Sequence, residues 1–409
     1  MTIKARISVQ KKVLYDALKK ATRTRVEPGE CKALDIPFAF TGFVFWMRGH
    51  REMAISTTDR SLYTDITIPL AKRRGKFKDF ALPAYELPYI LRRIDDQVID
   101  IDLHEQHAVF RHSFGTFTLS FIKDGVEKFF HERASMILQR QTSYCMIFQA
   151  SDFHSMIDRL NPYTDCGALR YALCGINIHR SGGKVHFVAS DGYNLLRITK
   201  DDTENTLPHS ILMPNKVISI LRRILPRTGS LLLEYYIYQE GDHVKPKYMI
   251  ETDSVSFYFS PTEGKYPDFN KVIPQSSPHT FRVERMDLFR ALDRMGIIAQ
   301  NRKMRAYVKE GHISLHADDD DFSVEAIEKI PVEHSSKPFR FAFDAGNVCQ
   351  VLNSFRCKHV NFEVGELDRA IVVKPDKQPE GEHITAIFMP CLRKEDFDQL
   401  YKTGILKQE

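Results

Sequence analysis

The sequence predicts an α+β fold made of three repeats of one module, each with antiparallel strands and two amphipathic helices. Two recurrences predict it. A helical segment of one plan occurs at 82–94, 213–225 and 343–355, its starts 131 and 130 residues apart (213−82 and 343−213). A strand runs into a Thr/Ser/Ala-Asp step at Asp59, Asp191 and Asp318, spaced 132 and 127 (191−59 and 318−191). Both intervals are one domain long, and 409 residues are too many for a single core.

Each module opens on a helix. Segments 13–20, 152–160 and 286–295 place apolar residues at three- and four-residue steps, as in Phe153, Met156, Ile157 and Leu160. Short alternating strands follow, for example 184–188 and 311–315. The second helix of each module is the recurring segment itself, Leu-Arg-Arg-Ile in the first two copies and Asn353-Ser354 at the matching place in the third. Joins fall at 131–142 and at 274–279, where Pro274, Ser276, Ser277 and Pro278 read as linker. The expected domains are 1–134, 142–274 and 279–393, with an extension over 394–409.

Composition narrows the function. The chain is 43% hydrophobic and 27% charged, ordinary for a soluble globular protein. No apolar run is long enough for a membrane helix, and the start of the chain lacks a signal region. Seven scattered cysteines without a Cys-x-x-Cys pair point to a reducing cytoplasm, with no disulfide framework or zinc site. There is no P-loop, no Gly-rich dinucleotide turn and no metal-spaced His/Cys cluster, so no catalytic residue, cofactor or metal is expected. The Asp318-Asp319-Asp320-Asp321 run reads as surface acid in a turn. The net charge of +5 is mild, so a nucleic-acid role must rest on where the charges sit.

Four motifs then appear in order: Leu169-Arg170-Tyr171-Ala172-Leu173-Cys174-Gly175, Ala189-Ser190-Asp191-Gly192-Tyr193-Asn194-Leu195, Gly264-Lys265-Tyr266-Pro267-Asp268-Phe269, and Ile387-Phe388-Met389-Pro390. Together they resemble the bacterial DNA polymerase III beta subunit, the sliding clamp, over roughly residues 1–393. The resemblance is marked in the middle module, good in the last and weak in the first. It implies the DNA-clamp fold. It further implies that two subunits close head to tail into a six-domain ring around duplex DNA, that two helices of each domain face inward, and that the ring tethers polymerase without catalysis.

Such a ring needs phosphate contacts that ignore sequence. On the predicted inner helices these are Lys11, Lys12, Lys19, Lys20, Arg23, Arg25, Arg92 and Arg93 in the first module. The second offers Arg159, Lys216, Arg222 and Arg223, and the third Arg290, Arg294, Arg302, Lys303 and Arg305. The resemblance also implies a cleft that takes short peptides from the polymerase III alpha subunit, the clamp loader and other proteins with a clamp-binding motif. Its matching residues are Leu173, Ser190, Gly192, Leu195, Pro267, Val272, Ile387, Phe388, Met389 and Pro390. For the homodimer contact it implies Phe117 and Leu119, on an edge strand, facing Ile297 and Ile298.

The chain departs from the family pattern in four places: Cys391-Leu392 stands where the closing Met-Arg is usual, the first module has longer insertions such as the basic loop 72–78, and two more departures concern the cleft. Tyr193-Asn194 stands where His-Arg is usual, which removes a positive charge beside the cleft. The chain also runs on through 394–409, where Gln399-Leu400-Tyr401 has the look of a clamp-binding peptide. These departures keep a second reading open: a clamp-like regulatory or damage-specific scaffold with an altered partner cleft.

Overall fold

The computed structural model describes residues 3–391 except 139–142, 165–172, 202–209, 241–242, 262–263, 300–301, 320, 322, 335–336 and 367–368. The expected extension at 394–409, with its Gln399-Leu400-Tyr401, lies outside the described residues.

One element order occurs three times: strand, helix, four strands, helix, three strands. The first pass is β1 (Ala5–Gln10), α1 (Lys11–Ala21), an extra helix α2 (Pro28–Ala33), β2 (Phe43–Met47), β3 (Glu52–Thr58), β4 (Leu62–Pro69), an extra strand β5 (Lys72–Gly75), β6 (Phe80–Leu82), α3 (Glu86–Arg92), β7 (Val98–Leu103), β8 (His107–His112) and β9 (Gly115–Ser120). A linking helix follows, α4 (Val126–Leu138). The second pass is β10 (Ser143–Gln149), α5 (Ala150–Leu160), β11 (Gly175–Ser181), β12 (Lys184–Ser190), β13 (Asn194–Asp201), β14 (Ser210–Pro214), α6 (Asn215–Ile224), β15 (Ser230–Glu240), β16 (His243–Glu251) and β17 (Val255–Phe259). The third is β18 (His279–Glu284), α7 (Arg285–Met295), β19 (Lys303–Lys309), β20 (His312–Asp319), β21 (Val324–His334), β22 (Phe339–Asp344), α8 (Ala345–Asn353), β23 (His359–Val364), β24 (Ile371–Pro375) and β25 (His383–Phe388). All six helices of the repeat fall where the sequence expects them.

The chain folds as two compact units, and the middle pass contributes to both. The first unit contains a five-stranded sheet, β5-β1-β7-β8-β9, and an eight-stranded one, β10-β15-β16-β17-β4-β3-β2-β6. Helix α1 buries Leu14, Ala17, Leu18 and Ala21 and packs against α3, which buries Leu87 and Leu91. The second unit contains one twelve-stranded sheet, β14-β11-β12-β13-β25-β24-β23-β18-β21-β20-β19-β22. There α7 packs on α8, which starts where the Asp344 carboxylate accepts the Asn347 N–H at 3.1 Å.

The way the passes join is regular. The last strand of the second pass, β17, pairs antiparallel with β4, the third of the four strands between the helices of the first: Val255 opposite Ile66 through Phe259 opposite Leu62. The last strand of the third pass, β25, pairs in the same way with β13, at the same place in the second: Asn194 opposite Phe388 through Thr199 opposite His383. Among the described residues, the last strand of the first pass, β9, ends its sheet with only β8 beside it. The corresponding strand of the third pass, β21, gives Val324–Pro331 to β20 and only Val332–His334 to β18. Along Val324–Pro331 its other edge therefore has no strand among the described residues.

Some sequence expectations change. The join expected at 131–142 begins inside α4, which is seated by buried Phe129 and by Arg133. The Arg133 guanidinium donates to the Asp65 carboxylate, from Nε at 3.1 Å and 3.2 Å and from Nη2, and lies 4.6 Å from the Trp46 ring centre. Part of the basic stretch 72–78, expected as a loop, is β5, paired with β1. The Asp step holds as a turn at Asp59 and Asp191, whose carboxylates accept the N–H groups of Leu62 at 2.8 Å and Asn194 at 2.7 Å. In the third pass the turn residue is Asp319, which accepts from Asp321, while Asp318 lies on β20 and pairs with Arg305.

Candidate functional site

The residues expected to form the cleft lie within the second unit. Strand alternation on the paired β13 and β25 turns Leu195 and its partner Ile387 to one face. There they share a cluster with Val188, Leu212, Tyr266, Phe269, Ala370 and Val372, against which Leu173 packs half-buried. Around this floor Val272 is 52% exposed, Met389 is 37% exposed, Pro267 is exposed and Pro390 is half-buried.

The β12–β13 turn forms one edge. Ser190 Oγ donates to the Asn194 carbonyl at 2.9 Å and accepts from the Gly192 N–H at 3.2 Å. Gly192 has φ +91°, a conformation that suits glycine. The turn is tied to the last strand, because the Met389 N–H donates to the Tyr193 carbonyl at 2.9 Å. Asn194 Nδ2 reaches Asp191 at 3.1 Å and Asn347 on α8 at 3.0 Å. Ser190 thus shapes the turn more than it lines a surface. Phe388 is a correction. One residue past Ile387, it points to the opposite face, is fully buried, and meets Phe343 and Phe362 edge-on.

Beside the floor, His179 and His186 flank Phe269, with ring centres 5.7 Å and 5.9 Å away. Burial, then Arg197, His179 and Lys184, push His186 down to about 4. Its ring therefore stays neutral, with Nδ1 2.9 Å from Thr199 Oγ1.

The expected basic residues divide into two sets. Lys12, Lys19, Arg23, Arg92, Arg93, Lys216, Arg222, Arg223, Arg290 and Lys303 are exposed, and Lys20 is half-buried. Others are engaged. Arg159 donates to Glu382 at 2.9 Å, with both side chains nearly buried, and Lys200 shares that carboxylate at 3.1 Å. Arg294 grips Glu328 on β21 with two bonds, at 3.1 Å and 2.6 Å. Arg25 pairs with Glu27 at 3.2 Å. Lys303 and Arg305 lie on strand β19, not on a helix, and Arg305 is held by His316 and Asp318. Of the expected subunit contacts, Phe117 and Leu119 lie half-buried on the edge strand β9 and Ile298 is half-buried, while Ile297 is 86% exposed.

Residues 270–391 match the family model of the DNA polymerase III beta subunit, C-terminal domain. The beta sliding clamp of Pseudomonas aeruginosa is 23% identical over 310 residues, which are 75% of this chain and 80% of that one. The beta sliding clamp of Treponema pallidum is 22% identical over 62% of this chain and 68% of its own. Over 270–391, and in these partial alignments, the chain is similar to the beta sliding clamp family. Solved clamps share its fold: the DNA polymerase III beta subunit of Streptococcus pyogenes superposes with a TM-score of 0.81 at 15% identity, covering 95% of this chain and all of that one. The sliding clamp of Bartonella birtlesii bound to griselimycin gives 0.78 at 19% identity with the same coverage. The match to the Escherichia coli clamp is 26% identical but spans only 51% of that protein.

Motif reading marked Tyr193, which is 62% exposed on the turn, and missed the buried pair Tyr266 and Phe269 under the cleft. All three lie inside segments that the sequence had already marked. Their positions in those motifs were the available signal.

Proposed function

We propose that the chain is a sliding clamp whose two copies close head to tail into a ring of six modules around duplex DNA. The ring tethers a DNA polymerase and exchanges other partners at the cleft. The observation that carries this reading is the pair of unfilled strand edges. Inside the chain, the last strand of one pass always completes the third of the four strands between the helices of the pass before it. Among the described residues the last strand of the first pass, β9, has a free edge, and the corresponding inter-helix strand of the third pass, β21, has a free edge along Val324–Pro331. Pairing β9 of one copy with β21 of another repeats the same junction, and doing so twice closes a C2 ring. Phe117, Leu119, Ile297 and Ile298 would then become interface, together with Ile327, which is 59% exposed on β21.

The exposed cations of the helix pairs would face the DNA. Contacts to phosphate alone exchange as the ring slides, so closure and not affinity retains it. The cleft of Leu173, Leu195, Pro267, Val272, Ile387, Met389 and Pro390, edged by Ser190 and Gly192, would seat an apolar peptide on a part-exposed floor, with Met389 as the adaptable wall. The polymerase III alpha subunit and the clamp loader are the expected donors of that peptide. The chain is read as non-catalytic and cytoplasmic, and no described helix is long and apolar enough to cross a membrane. The three modules are taken as 1–134, 142–274 and 279–393.

The test is retention. Clamp loaded onto nicked circular DNA should persist and should be lost once the circle is cut. Equal lifetimes on circle and linear DNA would overturn the ring.

A further inference from the structure

Helix α3 carries a feature that phosphate binding does not need. Tyr85 is 68% exposed and Tyr89 is 51% exposed, one helical turn apart, with ring centres 5.0 Å apart and planes at 36°. They are not overspill from the core. The apolar side of α3 is already used by Leu87 and Leu91, both fully buried. The matching positions in the other passes hold no aromatic residue: Lys216 and buried Ile220 on α6, Gly346 and Gln350 on α8.

The surroundings are basic. Arg92 and Arg93 end the same helix, and Lys12 and Lys19 are exposed on α1, which packs against it. None of these four side chains is held in an ion pair among the described residues. Arg93 Nη1 donates back to the Tyr89 carbonyl at 2.9 Å, which holds the guanidinium at the tyrosine's own turn. The exposed acids nearby are Asp16, Glu86, Asp95 and Asp96. Asp96 is already engaged by the Lys12 N–H at 3.0 Å and by Gln10 at 3.1 Å.

Open aromatic faces beside unpaired cations match one ligand chemistry: a nucleic acid strand whose bases are unstacked. The cations take the phosphates, and any base can stack on the rings. A duplex offers only base edges in its grooves, so it has nothing for these faces. We propose that Tyr85 and Tyr89 form a stacking platform for unpaired bases of a single strand. This rests on the clamp reading for placing α3 beside DNA. It adds a preference, carried by the first pass alone, for places where duplex gives way to single strand.

The experiment uses the full-length protein and fluorescence anisotropy with three labelled probes of equal length: a dT oligonucleotide, an abasic oligonucleotide and a duplex. The unaltered protein should bind the dT strand about tenfold more tightly than the abasic one, the lower end of what one stacked base contributes. Equal affinity for the two would overturn the platform without any variant. Tyr85→Ala/Tyr89→Ala should remove that tenfold advantage and leave duplex binding unchanged, while Tyr85→Phe/Tyr89→Phe should keep it. Parallel loss on dT and duplex would also overturn the platform, because it would make the tyrosines part of a general DNA face. Retention on circular DNA is a separate measurement. If it fails while the dT preference holds, the ring is wrong and the platform stands.

Discussion

Arg133 and Asp65 show how a few side chains fix the first unit. The guanidinium is nearly buried, doubly bonded to a buried carboxylate and stacked on Trp46. Removing one partner leaves the other charge stranded, so Arg133→Ala should lower unfolding stability by about 3–5 kcal/mol in urea titrations. His186 gives a pH dependence. Its folded value of about 4 lies below the ordinary imidazole value, so the unfolded chain takes up a proton first as pH falls. Stability should be intact above about pH 6.5 and decline from there toward about pH 4. His186→Gln should flatten that decline, and parallel pH profiles for the two proteins would refute the assignment. At the cleft, Met389→Ala/Pro390→Ala should abolish binding of a clamp-binding peptide while the dimer mass is unchanged. Neither the pairing of Arg133 nor the neutrality of His186 was legible in the sequence, because both depend on neighbours brought in by folding.

The helices were legible because a 3.6-residue period marks which side is buried, wherever the partner lies. Their charges were only half legible. A lysine or arginine on a predicted helix looks the same whether it faces solvent or a carboxylate brought in by another strand. Arg159 and Arg294 turned out to face Glu382 and Glu328, whereas Arg222 and Arg223 are exposed at the end of α6. Arg222→Glu/Arg223→Glu should therefore weaken retention on circular DNA. It should also reduce the slope of log affinity against log salt by about 2, near 0.9 for each phosphate no longer neutralised. Arg159→Gln should instead lower the melting temperature and leave that slope alone.

Across the whole molecule the strand edges decide what the chain can assemble into. If β9 and β21 pair between copies, a charge placed on either side of that junction should prevent it. Leu119→Asp or Ile297→Asp should convert a particle of twice 47.4 kDa into one of 47.4 kDa by native mass measurement. A variant that stays dimeric would move the interface elsewhere. By itself the sequence determined the number of passes, the two helices in each and the motif segments that hold the cleft, since periodicity and turn chemistry are local. The tertiary structure decided which strand completes which sheet, that Phe388 turns into the core while Ile387 turns to the cleft, and which cations stay exposed. Those outcomes depend on pairing between different segments, from 34 residues apart for Arg294 and Glu328 to 223 for Arg159 and Glu382, and no local pattern encodes that pairing.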